Sequence, residues 1–256
     1  MTFDPFAPDS ARQLTEPEEM DTPGVDGQRL VKALRFIRRI NYYLGYLHST
    51  AHAVTAMVAS IKEDRPITVL DVATGSGDIA VRLPEFAAFE GKQLQVIGLD
   101  LHGGTLKEAR RFTQGHLPLV QGDALSLPFA DASIDIVITS MFLHHLPTEL
   151  AVAALREMNR VARVGIIAAD LIRDRRAHRW VVLFTLLADR MVAHDARVSV
   201  KQAFTIAEAE ELAKAAGLRA TVSQHFGHRF IISALKSEPD AAQRRAAVPS
   251  PLEGEG

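Results

Sequence analysis

The chain reads as an α/β/α sandwich with a mainly parallel seven-stranded sheet, its last strand antiparallel, behind an N-terminal helical cover. Three observations predict this. Seven short β-rich runs alternate with helix-period stretches between residues 67 and 235, the pattern of a parallel sheet with helices on both faces. Little more than His225, Phe226 and Gly227 separates the last two runs, too few residues for a parallel crossover. An apolar stripe of Leu30, Leu34, Ile37, Ile40, Leu44 and Leu47 precedes the first strand and needs a surface to bury it.

Residues 1–27, rich in Asp, Glu and Pro and without apolar period, are expected to be a flexible acidic lead-in. Residues 28–65 carry the cover: the first stripe, a break at Gly45, then Val54, Met57, Val58 and Ile61 on a second stripe. Lys32, Arg35, Arg38 and Arg39 make its outer side basic, a pattern more common on a helix covering its own domain than on one lying on a membrane. Residues 66–236 form the main domain. Its strands are expected at 67–72, 94–99, 117–120, 134–139, 164–169, 219–223 and 229–235, and helices at 79–86, 106–112, 149–161 and 207–216. Residues 172–200 form a long, partly apolar insertion (WVVLFTLLADRMV), expected to roof a hydrophobic pocket together with the cover. Residues 237–256 read as a flexible tail.

Composition narrows the function classes. With 256 residues the chain can bury a core unaided, and with no cysteine it has no disulfide framework, thiolate metal site or cysteine nucleophile. A net charge of −2 gives no electrostatic footprint for nucleic acid. The start lacks a signal-peptide pattern, so a cytoplasmic setting is expected. The longest apolar run, residues 180–188, is far short of the roughly 18 residues of a spanning helix, so no integral membrane segment is expected. Nothing in the sequence excludes an oligomer.

The chemistry is concentrated in VLDVATGSGDIAVRL, residues 69–83. A strand ends near Asp71, and Ala73, Thr74, Gly75, Ser76 and Gly77 make a turn whose backbone can approach a ligand closely. Alone, the turn also satisfies a dinucleotide fingerprint, G-x-G-x-x-A. The second strand ends at Asp100, whose carboxylate suits ribose hydroxyls; the third leads to Asp123 in QGDALSLPF, which suits an adenine amino group. The fourth, IDIVITSMFLHHL, ends in a loop with His144 and His145.

As a series these motifs resemble the class I S-adenosylmethionine-dependent methyltransferases, over about residues 67–235, with VLDVATGSGD, GDALSLPF and FLHHL closest to the ubiquinone/menaquinone-type small-molecule subgroup. Many members have glycine where this chain has Ala73. The resemblance implies a Rossmann-like fold and S-adenosyl-L-methionine as cofactor. It implies that Asp71, Ala73, Gly75 and Gly77 surround the methionine portion, that Asp100 holds the ribose with Leu101 on the adenine, that Asp123 and Ala124 meet the adenine edge, and that Ser140 and Met141 face the sulfonium.

The expected reaction is methyl transfer to an oxygen, or an activated ring carbon, of a hydrophobic or aromatic small molecule such as a phenol, quinol or polyketide. An imidazole suits removal of the acceptor's proton, so His144, His145 and His194 are the candidate bases. The alternatives are an NAD(P)-dependent oxidoreductase and a cofactor-binding module without catalysis. No metal site is expected: His48 and His52 have ligand spacing without a third ligand, and Asp170 with Asp174 is thin support. Arg173, Arg175, Arg176 and Arg179 read as a solvated face.

Overall fold

The computed structural model describes residues 12, 14, 18, 19, 26–186 and 188–236; the expected C-terminal tail lies outside them. Two helices come first, α1 (Gly27–Tyr43) and α2 (Tyr46–Ala59). Asp26 starts α1 by accepting hydrogen bonds from the amides of Gln28 and Arg29, which satisfies two of the orphan donors of the first turn. Gly45, at φ 77°, makes the break between the two helices in a conformation that costs glycine little.

The strands are β1 (Ile67–Val72), β2 (Leu94–Asp100), β3 (Leu119–Gln121), β4 (Ile134–Ser140), β5 (Ala162–Leu171), β6 (Ala220–His225) and β7 (Arg229–Leu235). They form one sheet in the order β3-β2-β1-β4-β5-β7-β6. Every pairing is parallel except those of β7 with β5 and β6, as the three-residue β6–β7 connection requires. The order reverses between β1 and β4. The crevice beyond their carboxyl ends is where open α/β sheets bind ligands.

The later helices are α3 (Leu83–Ala88), α4 (Gly103–Phe112), α5 (Thr148–Val161), α6 (Arg175–Phe184), α7 (Arg190–Gln202) and α8 (Ile206–Ala215). On one face of the sheet, α5 and α8 close a core with Leu70, Val137, Ile166 and Phe230. On the other, α2 supplies Leu47, Ala51, Val54 and Val58 against Ile67, Ile136 and Ile167. So α2 is mainly a layer of the sandwich, reaching the ligand edge at Tyr46, while α1 lies across that edge. After the glycine turn the expected helix over 79–86 is replaced by a 3₁₀ turn at Ala80–Arg82 and the six-residue α3. Pro84, at the start of α3, lacks the amide that would continue an α-helical ladder back to Ala80.

Candidate functional site

A cavity of about 780 Å³ opens at the carboxyl edge of the sheet, within the range of small-molecule sites. One side is built from strand ends. Asp71, at the end of β1, is 3% exposed and accepts a hydrogen bond from the Thr74 hydroxyl at 2.7 Å. Burial pushes its carboxyl up to about 7, Asp78 and Asp100 add to the rise, and the Thr74 hydroxyl opposes it. Ala73 follows at φ 57°, a left-handed conformation in which glycine is unstrained. Asp100, closing β2, takes the amide of Gly75 on one carboxylate oxygen and that of His102 on the other, each at 3.0 Å. That clamp joins the glycine turn to the tip of β2.

Asp71, Ala73, Asp100, Leu101, Asp123, Ala124, Ser140 and Met141 all line this cavity. Gly75 and Gly77 do not. Gly75 reaches the site through the amide given to Asp100. Gly77 serves packing: at φ 70°, a Cβ there would lie 2.7 Å from Leu117 Cδ2. Leu101 is 53% exposed, an open apolar face beside Asp123. Met141 is held at φ 58° with its amide bonded to the Ala169 oxygen, while the buried Ser140 hydroxyl has no hydrogen-bond partner among the described residues.

The other side of the cavity is apolar. Phe36, Ile37 and Ile40 of α1 face it together with Trp180 and Val181 of α6 and Val192, Ala196 and Val200 of α7. The inserted segment and the first helix therefore meet over the site, as the apolar runs predicted. Two buried polar atoms on this wall also lack hydrogen-bond partners among the described residues, the Tyr46 hydroxyl and Asn41 Oδ1. Tyr46 is positioned by the Arg229 guanidinium, stacked 3.6 Å from its ring centroid. Neither residue was singled out from sequence, because their meaning depends on where α1 and α2 cross the sheet edge.

Between the two sides lies a charged cluster. His144 is 1% exposed; its Nδ1 lies 2.6 Å from Asp170 Oδ1, and Asp170 also accepts its backbone amide at 3.0 Å. On the other ring nitrogen, Nε2 is 3.6 Å from Glu18 Oε1, and His145 Nδ1 is 4.0 Å from the same oxygen. The two imidazoles stack with centroids 4.1 Å apart. Burial opposes every charge here, yet the attraction wins: His144 is raised to about 10 by Asp170 and then Glu18, and both carboxyls fall below their ordinary values. His144 thus has Nδ1 committed to Asp170, while Nε2 faces Glu18. His144, a candidate base from sequence, therefore lines the cavity with its Nδ1 already held by Asp170.

His145 lines the cavity and is partly exposed. His194 does not line it: it sits in α7 next to Asp195, which does, and neighbouring helix positions point about 100° apart. Asp174 caps α6 and pairs with His228 at 2.8 Å, so it is no partner of Asp170 in a metal site. Arg173 is buried against Glu208 at 2.8 Å, not on a solvated face.

The lead-in also departs from expectation at its described residues. Glu18 is 5% exposed and accepts from the Ser199 hydroxyl, the Glu19 amide donates to Asp195 at 2.8 Å, and Arg12 donates to the His144 oxygen at 2.7 Å. An acidic stretch without periodicity carries no signal for such contacts, since they depend on long-range charge pairing.

Residues 69–165 match a family described as "Methyltransferase domain". The curated relatives include a demethylmenaquinone methyltransferase of Staphylococcus carnosus (strain TM300), 35% identical over 117 residues, covering 45% of this chain and 46% of the relative. Another, of Bacillus velezensis, is 34% identical over 115 residues, 43% of this chain and 46% of the relative. The matched stretch thus spans about half the length of these relatives. Among solved structures, a SAM-dependent methyltransferase from Aquifex aeolicus superposes with a TM-score of 0.57 at 18% identity, over 82% of this chain and 98% of that one. The magnesium protoporphyrin IX methyltransferase of Synechocystis PCC 6803, solved with bound SAH, gives 0.54 at 19% identity over 82% and 97%. These structural likenesses are of fold. No helix among the described residues is long and apolar enough to cross a membrane.

Proposed function

We propose, from the premise that this chain carries a class I S-adenosylmethionine-dependent methyltransferase domain, that it methylates an oxygen, or an activated ring carbon, of a hydrophobic aromatic small molecule of the quinol or phenol class. The observation that carries the reading is the union of two unlike walls in one cavity, acidic strand ends on one side and an apolar roof on the other, meeting at Ser140, Met141 and His145. The cofactor, when bound, supplies an activated methyl group on a sulfonium.

The residues fit that cofactor. Asp71, costly to ionise while buried alone, gains a cationic partner in the methionine ammonium. Asp100 holds the ribose hydroxyls, the open face of Leu101 packs on adenine, and Asp123 with Ala124 meets the adenine edge. The unpartnered Ser140 hydroxyl and Met141 stand at the sulfonium end. The apolar roof excludes water and orients the acceptor for in-line attack, the main contribution when the leaving group is already good. The Glu18–His144–His145 cluster faces the acceptor as it loses its proton.

Dinucleotide-dependent hydride transfer is disfavoured, because a 3₁₀ turn and Pro84 stand where a pyrophosphate would need a helix N-terminus. The demethylmenaquinone activity named for the Staphylococcus and Bacillus relatives supports a quinol-like acceptor. Titration calorimetry with S-adenosylhomocysteine and with NADH, followed by turnover on hydroquinones and phenols, tests the reading. Binding of the former alone, with methylation of a hydroquinone, is expected; binding of NADH alone overturns it.

A further inference from the structure

We propose that Glu18, His144 and His145 form a binding site for one divalent transition-metal ion at the acceptor end of the cavity. Each offers one ligand atom, and the three atoms all lie within 4.8 Å of one another. Glu18 Oε1 is 3.6 Å from His144 Nε2 and 4.0 Å from His145 Nδ1. Ligands of a tetrahedral ion at about 2.0–2.2 Å stand roughly 3.3–3.5 Å apart, so side-chain shifts of about an ångström close the set.

The surroundings already orient these ligands. Asp170 holds His144 Nδ1 at 2.6 Å and turns Nε2 toward Glu18, the carboxylate–histidine–metal arrangement that fixes the ring and raises its basicity. The Ser199 hydroxyl donates to the Glu18 oxygen that faces the two imidazoles. Arg12 reaches the backbone oxygen of His144 and leaves the side-chain nitrogens to the cluster. Two buried carboxylates, Asp170 and Glu18, flank one imidazole. A proton on it offsets one negative charge, and a divalent ion in its place offsets both. Two imidazoles and one carboxylate suit zinc, cobalt or iron, not the all-oxygen shells of magnesium or calcium.

Glu18, His144 and His145 all line the cavity, and His145 is the most exposed of the three. The remaining coordination position therefore faces the acceptor, as in catalytic rather than structural metal sites. Resting on the function proposed above, the ion binds the acceptor's hydroxyl oxygen and releases its proton to solvent, leaving a metal-bound oxyanion as the nucleophile.

The test uses the full chain, stripped by a chelator and titrated with Co²⁺ or Zn²⁺ alone. Stoichiometry comes from elemental analysis after gel filtration, and affinity from competition with a chromophoric chelator. One Co²⁺ per chain is expected, with the visible absorption of a four- or five-coordinate site. His145→Gln and Glu18→Gln should each weaken Zn²⁺ binding by more than Asp170→Asn, which should cost about 10- to 100-fold as an outer-shell change. Circular dichroism identifies any variant that fails to fold. His145→Gln leaves the His144–Asp170 pair intact and decides the matter if the buried variants do not fold. Binding well below one equivalent, or equal affinity in wild type and His145→Gln, overturns the site. Intact metal binding in a chain that binds no S-adenosylhomocysteine overturns the proposed function and leaves the site standing.

Discussion

Cofactor affinity should tighten about ninefold between pH 6 and pH 8, and Asp71→Asn should abolish most of that dependence. Asp71 is almost fully buried, and burial with its acidic neighbours Asp78 and Asp100 brings its carboxyl up to about 7 in the free protein. A group titrating there is roughly one-tenth ionised at pH 6 and nine-tenths at pH 8. A ligand whose ammonium pairs with the ionised form, and keeps its own proton throughout, gains affinity in that ratio. The folded-state value is raised, so the stability Asp71 contributes is complete below the unfolded value near 4 and is lost as pH rises through about 7. At about 1.4 kcal/mol per unit, the loss is on the order of 4 kcal/mol at most. Calorimetry with S-adenosylhomocysteine, in two buffers of different ionisation enthalpy, should show about half a proton released per ligand at pH 7. An affinity independent of pH in the wild type, or an Asn variant of equal affinity and equal pH response, would refute the pairing.

Three further outcomes are expected. Asp135→Asn should lower stability by about 1.5–3 kcal/mol while S-adenosylhomocysteine affinity is unchanged, because Asp135 is fully buried at the opposite end of the sheet and bonded to Thr68 and to the half-exposed Arg65 and Arg163; denaturant unfolding measures the first and calorimetry the second. Those partners outweigh burial and depress the Asp135 carboxyl, so the stability it contributes is present above about pH 4 and falls as pH drops below it. Tyr46→Phe removes only a buried, unpartnered hydroxyl on the cavity wall, so acceptor KM should rise about 2- to 12-fold with cofactor affinity constant, the value of one neutral hydrogen bond; an unchanged KM would take Tyr46 off the acceptor. Gly77→Ala should cost about 1–3 kcal/mol in thermal or denaturant unfolding, from a left-handed φ of 70° and a Cβ 2.7 Å from Leu117.

The fold and the strand-end side of the cavity were legible in the residues themselves. Strands β1 and β7 fall where alternation and β-branched runs put them, and the three-residue link dictates the antiparallel end of the sheet. These features are local, and one face of each element must be buried for the chain to fold. Asp71, Asp100 and Asp123 could be placed for the same reason: each sits at a strand end, and all parallel strand ends meet at one edge. The helix after the glycine turn differed in detail, since Pro84 shortened it, and Gly77 packs too close to Leu117 to leave room for a Cβ.

Tertiary structure alone decided what the histidines are. From sequence, His144 ranked first and His145 and His194 stood behind it only on their places in the chain, because the charges around an imidazole are not set by its sequence neighbours. Asp170 lies 26 residues from His144 and Glu18 lies 126 residues before it, yet both carboxylates converge on one ring and raise its basicity. His194 lost its place by a single helix position. Burial and long-range Coulomb attraction act through space, so periodicity carries them only where a residue's partners are also its sequence neighbours.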